Sequence, residues 1–187
     1  KNEPKQRKIF LKKPVVIGVF ACVIVACAVL VVLDRDAYKK SDLMEECRIV
    51  CLGDSIWGLV KDETGIASLV ENMTGATVDN YAVPGSTASD FDTTVIENLD
   101  ERNLCRIIGQ MQAEDSKKSR EILDIEAALQ EADYLILAYG LNDYFQGVEA
   151  DTKEKEDLYT YEGALKNAVE YVKKKYPNVK IVLVGQT

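Results

Sequence analysis

The stretch Arg48-Ile49-Val50-Cys51-Leu52-Gly53-Asp54-Ser55 decides the predicted fold, because an apolar run leads directly into a tight turn. An uninterrupted apolar run is typical of a parallel strand that is covered on both faces. Three later runs predict strands of the same kind, at residues 77–81, 134–139 and 180–184. The turn at Gly53 would lift the Ser55 hydroxyl to the carboxyl edge of the sheet.

Apolar residues at helical spacing separate these strands. The spacing predicts helices at residues 66–73, from about 89 to 112, at 122–131 and at 164–172, with a solvated turn at residues 114–120. The resulting order, β-α-β-α-β-α-β, predicts an α/β protein: a three-layer α/β/α sandwich with a parallel sheet and right-handed crossovers. In such folds ligands bind beyond the carboxyl ends of the strands.

Short polar or glycine-containing motifs follow three successive strands at that edge. Ser55 follows the first strand, Gly85 lies in a Pro-Gly sequence after the second, and Asn142 follows the third. A hydroxyl can attack a carbonyl, while a backbone N–H and an amide NH₂ can hold the oxyanion that forms. Each motif alone also has a structural interpretation, as a helix cap, a Pro-Gly turn and an Asx turn, respectively.

In combination the motifs resemble the blocks of SGNH (GDSL-type) hydrolases. Gly53-Asp54-Ser55 resembles the first block, Gly85 the second and Gly140-Leu141-Asn142-Asp143 the third. The resemblance covers residues 48–187 and implies a flavodoxin-like SGNH hydrolase fold. It also implies that Ser55 is the catalytic nucleophile, and that the N–H groups of Ser55 and Gly85 and the side chain of Asn142 form the oxyanion hole.

Four residues near these motifs are candidates for support or for the wall of a pocket. Asp54 lies within the first block, and the resemblance gives Asp143 a structural role beside Asn142. Trp57 and Tyr144 flank the inferred site and are candidates for lining the acyl or alcohol pocket. Aromatic residues near a sheet edge are more often part of the core, so that interpretation is also open.

The sequence contains no histidine. In the family that the motifs resemble, an Asp-x-x-His segment after a fifth strand supplies the orienting acid and the base. We therefore expect the hydrolase domain of residues 48–187 to be incomplete, with its His and Asp beyond Thr187, and the sequence as written to be nearly inactive. The alternative is a membrane-tethered SGNH-fold domain that has lost catalysis and serves in binding or scaffolding.

An uncharged run at residues 15–33 has the length and apolarity of a transmembrane helix. Six Lys or Arg residues lie in residues 1–14, so the positive-inside rule predicts a cytoplasmic N-terminus and an extracytoplasmic domain after a linker at 34–47. Two alternatives are open, because Ala26-Cys27-Ala28 resembles a signal-peptidase site and Ile24-Val25-Ala26-Cys27 resembles a lipobox. The apolar run continues beyond either cut, which favours an uncleaved anchor.

Composition argues against several other classes of function. Residues 34–187 carry 17 basic and 30 acidic side chains, and so lack the basic surface that nucleic-acid binding needs. No glycine-rich phosphate-binding motif follows a strand. Cys47, Cys51 and Cys105 lack zinc-site spacing and are predicted to be free thiols, and the acidic loop at 149–157 lacks calcium-loop spacing. Neither a metal nor another cofactor is expected.

The expected function is extracytoplasmic hydrolysis of O-acyl esters. The resemblance favours acetyl or other short-chain groups, and glycan esters are a candidate substrate because the predicted anchor would hold the site near the cell envelope. Lipase or thioesterase action uses the same chemistry and is also open.

Overall fold

Four parallel strands form the sheet in the part of the chain that the computed structural model describes, residues 44–90, 102–151 and 157–185. They are β1 (Arg48–Gly53), β2 (Thr77–Asn80), β3 (Tyr134–Ala138) and β4 (Lys180–Leu183), in the spatial order β2-β1-β3-β4. The predicted parallel sheet is confirmed, and each predicted strand differs from the observed one by a single residue at its end.

The central strands β1 and β3 are buried on both faces. Their register places Val50 opposite Leu135, and both side chains are fully buried. β4 lies at the edge of the sheet beside β3, and its residues Val182 and Leu183 are 41% and 54% exposed. The continuous apolar runs of β1 and β3 therefore reflect the cover that a central parallel strand receives from helices on both sides.

Helices connect the strands and begin directly after several of them. In chain order they are α1 (Ser55–Gly58), α2 (Ile66–Thr74), α3 (Leu104–Gln112), α4 (Arg120–Glu131), α5 (Leu141–Phe145) and α6 (Tyr161–Lys175), with a 3₁₀ turn at Asp115–Lys117. Polar side chains cap the first turns of three helices: Asn103, Ser119 and Thr160 accept hydrogen bonds from backbone N–H groups in α3, α4 and α6. These caps satisfy N–H groups that the helices cannot use themselves.

Two apolar clusters, one on each face of the sheet, make the predicted three layers. One cluster joins Val50, Leu52, Leu135 and Leu137 to side chains of α3, α4 and α6. The other joins Ile49, Cys51, Ile136 and Ala138 to Trp57 of α1 and Ala67 of α2. Because successive strand residues point to opposite faces, the same two strands supply both clusters. The α/β/α arrangement is therefore confirmed for the described residues.

The helix predicted from about residue 89 to residue 112 is observed at its end, as α3, but not at its first two residues. Residues 91–101 lie outside the described residues, but Ser89 and Asp90 are not helical, and α3 starts at Leu104. The prediction was wrong there because tertiary contacts use the backbone: the Ser89 N–H donates to Asp143 and the Asp90 N–H donates to the Leu158 carbonyl. A second difference is the short helix α5, where the sequence suggested only a turn.

The predictions for residues 1–14, 15–33 and most of the linker at 34–47 concern residues outside the described ones. Among the residues that are described, no helix combines the length and apolarity needed to cross a bilayer. All described residues belong to one unit, Lys40–Thr187.

α1 approaches the chain after β2 so closely that only a glycine fits at the contact. A Cβ atom at Gly58 would lie 2.5 Å from the Ala82 carbonyl oxygen, whereas a Cβ at the exposed Gly109 in α3 would meet nothing within 4 Å. The contact at Gly58 involves backbone, which cannot rotate away as a side chain would. The position of Ser55 at the start of α1 therefore depends on this glycine.

We predict opposite effects of alanine at these two glycines. Gly58→Ala should lower the free energy of unfolding by roughly 1–3 kcal/mol, because α1 and the chain after β2 must separate. Gly109→Ala should raise it by up to about 1 kcal/mol, because alanine favours the helix. Chemical denaturation of both variants beside the parent measures the two changes. A Gly58→Ala protein as stable as the parent would contradict the close approach.

Candidate active site

The three predicted motifs meet at the carboxyl edge of the sheet, between β1 and β3. In the sheet, β2 lies on one side of β1, and β4 lies on the opposite side of β3. The connections after β1 and β3 therefore run in opposite directions, which makes the carboxyl edge between these two strands a topological switch point. Ligands of open α/β sheets bind at such points. The Asp54 N–H donates to the Ala138 carbonyl at 3.1 Å, and a Cβ at Gly53 would lie 2.8 Å from the same oxygen. The turn before Ser55 is thus packed directly on the end of β3.

The first motif forms a capped helix start. Asp54 is fully buried, and its Oδ1 accepts a hydrogen bond from the Ile56 N–H at 3.0 Å, which closes the first turn of α1. Ser55 is the first residue of α1 and is half-buried. A residue at that position has an N–H that the helix does not use. The capping interpretation therefore holds for Asp54, and it leaves the Ser55 hydroxyl and N–H at the edge where a ligand would bind.

The second motif forms a tight turn beside the first. Val83-Pro84-Gly85-Ser86 is closed by a hydrogen bond from the Ser86 N–H to the Val83 carbonyl at 3.2 Å, and Gly85 has a φ of 86°. A turn with proline at its second position and a left-handed residue at its third is a type II turn, and the left-handed position favours glycine. The Val83 N–H donates to the Gly53 carbonyl at 2.9 Å. The turn that carries Gly85 is therefore attached to the end of β1.

The third motif begins α5 after β3. Gly140 has a φ of 131°, which favours glycine, and a Cβ there would lie within 3.3 Å of three atoms of the Tyr161 side chain. Two residues later, the Asn142 Nδ2 donates to the Ser86 carbonyl at 2.8 Å. A side-chain amide has two N–H groups, so this bond uses one and leaves the other for a ligand, as far as the described residues are concerned. The third motif is thus hydrogen-bonded to the second.

Asp143 holds the loop that follows Gly85. Its carboxylate is 2% exposed and accepts hydrogen bonds from the Ala88 N–H at 2.9 Å, the Ser89 N–H at 3.0 Å and the Ser89 Oγ at 2.7 Å. On the opposite side, the Leu104 and Cys105 N–H groups at the start of α3 donate to the Thr87 and Ala88 carbonyls. Because its carboxylate faces the backbone of this loop, Asp143 has a structural role.

The two aromatic candidates lie in different environments. Trp57 is 7% exposed and belongs to the apolar cluster beneath α1, and its carbonyl accepts a hydrogen bond from the Asn80 Nδ2 at 2.7 Å. Tyr144 is 78% exposed and lies beside Phe145, which is 72% exposed, with ring centroids 5.8 Å apart. Tyr144 and Phe145 therefore offer accessible aromatic surface near Asn142, whereas Trp57 contributes mainly to the core.

The interior beneath the site has a low polarity. Burial, together with the negative charge of Asp54, raises the pKa of the Cys51 thiol to about 12, so this thiol is protonated and unreactive at neutral pH. Burial and then the charges of Asp143 and Asp54 raise the pKa of Tyr161. Hydrogen bonds at the edge of such a region are stronger than in water. Cys47, Cys51 and Cys105 are free thiols, of which Cys51 and Cys105 are buried and Cys47 is partly exposed.

The three motifs bring together a hydroxyl, backbone N–H groups and a side-chain amide but no imidazole, because the sequence has no histidine. Among the described residues, His, Cys, Asp and Glu form no group that could hold a metal ion. Sequence reasoning missed Ser86 and Ser89, whose hydroxyls donate to the Gly53 carbonyl and to Asp143. Nothing in a polar loop sequence distinguishes such serines, because their partners are distant in the chain.

We predict that Asp143 is a major determinant of stability in this region. Asp143→Ala removes a buried acceptor of three hydrogen bonds and should lower the free energy of unfolding by roughly 2–4 kcal/mol. Asp62 is a matched control, since its carboxylate accepts two hydrogen bonds from Thr64 in an exposed loop. Asp62→Ala should cost about 1 kcal/mol or less. Equal losses in denaturation experiments would contradict the role assigned to Asp143.

No family model matches the chain, and no curated protein matches it. Among solved structures, it is similar to a possible lipase from Chitinophaga pinensis, with 22% identity, a TM-score of 0.48, and coverage of 74% of this chain and 48% of that one. A protein from Bacteroides uniformis assigned as a GDSL-like lipase has 17% identity, a TM-score of 0.46, and coverage of 76% and 72%. A Lactobacillus plantarum protein has 19% identity, a TM-score of 0.44, and coverage of 73% and 54%. The chain thus spans about half the length of the first and third structures.

Proposed function

We propose that the protein is an extracytoplasmic serine hydrolase of the SGNH type that cleaves O-acyl esters. The observation that carries this proposal is the hydrogen bonding among the three motifs. The Val83 N–H binds the Gly53 carbonyl, and the Asn142 amide binds the Ser86 carbonyl. One connected edge of the sheet therefore contains a hydroxyl, a glycine in a tight turn and an amide donor, which can serve as the nucleophile and the oxyanion donors of acyl transfer.

The proposed mechanism assigns one role to each motif. The Ser55 hydroxyl attacks the ester carbonyl, and the Ser55 oxygen–acyl bond forms as the alcohol leaves. The N–H groups of Ser55 and Gly85 and the Asn142 side chain donate to the oxyanion of the tetrahedral intermediate. Each such donor typically contributes about 3 kcal/mol of transition-state stabilisation. Water then cleaves the acyl-enzyme and returns Ser55 to its free form.

The base is proposed to come from outside the 187 residues. Deprotonation of a serine normally requires an imidazole, and the sequence contains none. An Asp-x-x-His segment beyond Thr187 is the proposed source. The exposure of Val182 and Leu183 on β4 is compatible with this proposal, since a further strand beside β4 would cover apolar surface and bring its following loop to the same edge.

The proposed substrates are acetyl or other short-chain esters, with carbohydrate esters as the leading candidates. The exposed rings of Tyr144 and Phe145 lie close in the chain to the amide donor Asn142, and aromatic faces suit the apolar face of a sugar. The acidic surface of residues 34–187 disfavours polyanionic substrates such as nucleic acids.

We predict that activity depends on Ser55 and on Asn142 in the protein encoded by the complete gene. On a chromogenic acetate ester, Ser55→Ala should abolish turnover. Asn142→Ala should lower kcat by roughly 10²- to 10³-fold, because it removes one oxyanion donor. Ser116→Ala is the control, since Ser116 is an exposed serine of the 3₁₀ turn and should retain parental rates. Equal rates for the parent and Ser55→Ala would refute the serine mechanism.

A catalytically inactive binding or scaffolding domain is the second candidate function. The observation that favours it is the absence of histidine from the sequence. If the complete protein folds but neither hydrolyses acyl esters nor reacts at Ser55 with a serine-directed phosphonate, this second function replaces the first.

The protein is also proposed to be a single-pass membrane protein with its hydrolase domain outside the cytoplasm. The support is the uncharged run at residues 15–33 and the basic residues that precede it. This topology would place the crevice on the side of the membrane where envelope glycans are found.

We predict that residues 15–33 retain the protein in membranes after an alkaline carbonate wash. Arginines at two positions, Val23→Arg and Val29→Arg, should release it, because a charge at the centre of a bilayer helix costs about 2.5–3.5 kcal/mol or more. Cys27→Ala should remain in the membrane, since an uncleaved helix does not need this thiol. Release of Cys27→Ala would instead support a lipoprotein, and release of the parent would contradict the anchor.

A further inference from the structure

We propose that Ser86 is a positioning residue of this site, and that it fixes the oxyanion donor Asn142 relative to the turn that presents Ser55. The inference rests on the proposed function, because it concerns the geometry of that reaction. Ser86 follows Gly85 and is only 1% exposed, so its hydroxyl lies beneath the crevice and not within it. It would act through its neighbours, without contact to the substrate.

The side chain of Ser86 binds the first motif. Its Oγ lies 3.0 Å from the Gly53 carbonyl oxygen and 2.8 Å from the Val83 carbonyl oxygen. A hydroxyl has one hydrogen to donate, so the two carbonyls share it. Gly53 is the last residue of β1, and the Asp54-Ser55 turn follows it directly. The hydroxyl therefore ties the Gly85 turn to the strand end from which Ser55 projects.

The backbone of Ser86 binds the third motif. Its carbonyl accepts the Nδ2 of Asn142 at 2.8 Å. A carbonyl attracts the NH₂ end of an amide and repels its oxygen, so this contact sets which end of the Asn142 side chain faces the loop. With one N–H held in this way, the planar amide directs its second N–H in a fixed direction. A shift of Ser86 would therefore reorient the donor.

Ser86 is thus the residue through which all three motifs are connected. An oxyanion hole works because its donors are aimed before the reaction begins, and displacement of a reacting group by about 1 Å can cost on the order of 100-fold in rate. Without the Ser86 hydroxyl, the Gly53 carbonyl still accepts a hydrogen bond from the Val83 N–H, and the Val83 carbonyl still accepts one from the Ser86 N–H. The fold should survive, while the spacing between Gly53 and Asn142 relaxes.

A double-mutant cycle with Asn142 in the protein encoded by the complete gene tests this role. Ser86→Ala should lower kcat on an acetate ester by about 10- to 100-fold, with KM changed by less than about 3-fold, because ground-state binding needs the donor less than the transition state does. In an Asn142→Ala background the same substitution should lower kcat by less than about 3-fold, since the donor that it aims is already absent.

Thr160→Ala is the matched control for the loss of a buried hydroxyl. Thr160 is 2% exposed, caps α6 and donates its Oγ1 to the Asp157 carbonyl. Its loss should lower the free energy of unfolding while kcat stays within about 2-fold of the parent. If Ser86 contributed to stability alone, Ser86→Ala would likewise lose stability while its kcat stayed close to that of the parent.

Two outcomes overturn the role of Ser86: an unchanged kcat in Ser86→Ala, or an equal loss of kcat in the parent and Asn142→Ala backgrounds. Neither outcome affects the proposed function, which fails if the parent and Ser55→Ala have equal rates or if the complete protein neither hydrolyses acyl esters nor reacts at Ser55. If Ser86→Ala does not fold, Ser86→Cys, which nearly conserves volume but donates weakly, is carried through the same cycle with the same two criteria.

Discussion

The carbonyl of Gly53 accepts two hydrogen bonds, one from the Val83 N–H and one from the Ser86 hydroxyl, and the arrangement of the site depends on this pairing. β1 ends at Gly53, so the carbonyl marks the point where the chain changes from strand to turn. Because the loop from Val83 attaches there, the turn after β2 cannot move independently of the turn that carries Ser55. The close packing of Gly53 on Ala138 adds β3 to the same unit.

Around this unit, buried polar groups are used to position loops. The Asp143 carboxylate would be costly to bury alone, but three hydrogen bonds from Ala88 and Ser89 offset that cost. The N–H groups at the start of α3 hold the carbonyls of the same loop. The loop after Gly85 is therefore held from two sides, which suits a site whose donors must be aimed in advance.

Two functions fit this geometry to different degrees. A binding domain needs only a suitable surface, whereas the proposed hydrolysis would use the connected hydroxyl, tight turn and amide as nucleophile and hydrogen-bond donors. The hydrogen bonds among the three motifs support the proposed hydrolysis, whereas the absence of histidine from the sequence is the observation that favours a binding or scaffolding domain.

The positions of the strands along the chain and the residues at their carboxyl ends could be predicted from the sequence, whereas the spatial order β2-β1-β3-β4 is seen only in the structure. Arg48–Gly53 and Tyr134–Ala138 could be predicted because a central parallel strand must be apolar on both faces, a pattern that is local in the chain. The predicted helix start near Ser89 failed because backbone groups there bind Asp143 and Leu158, more than fifty residues away. The connection of Gly53 to Asn142 through Ser86 is visible only in the folded protein, since a hydrogen bond between distant residues leaves no periodic signal in the sequence.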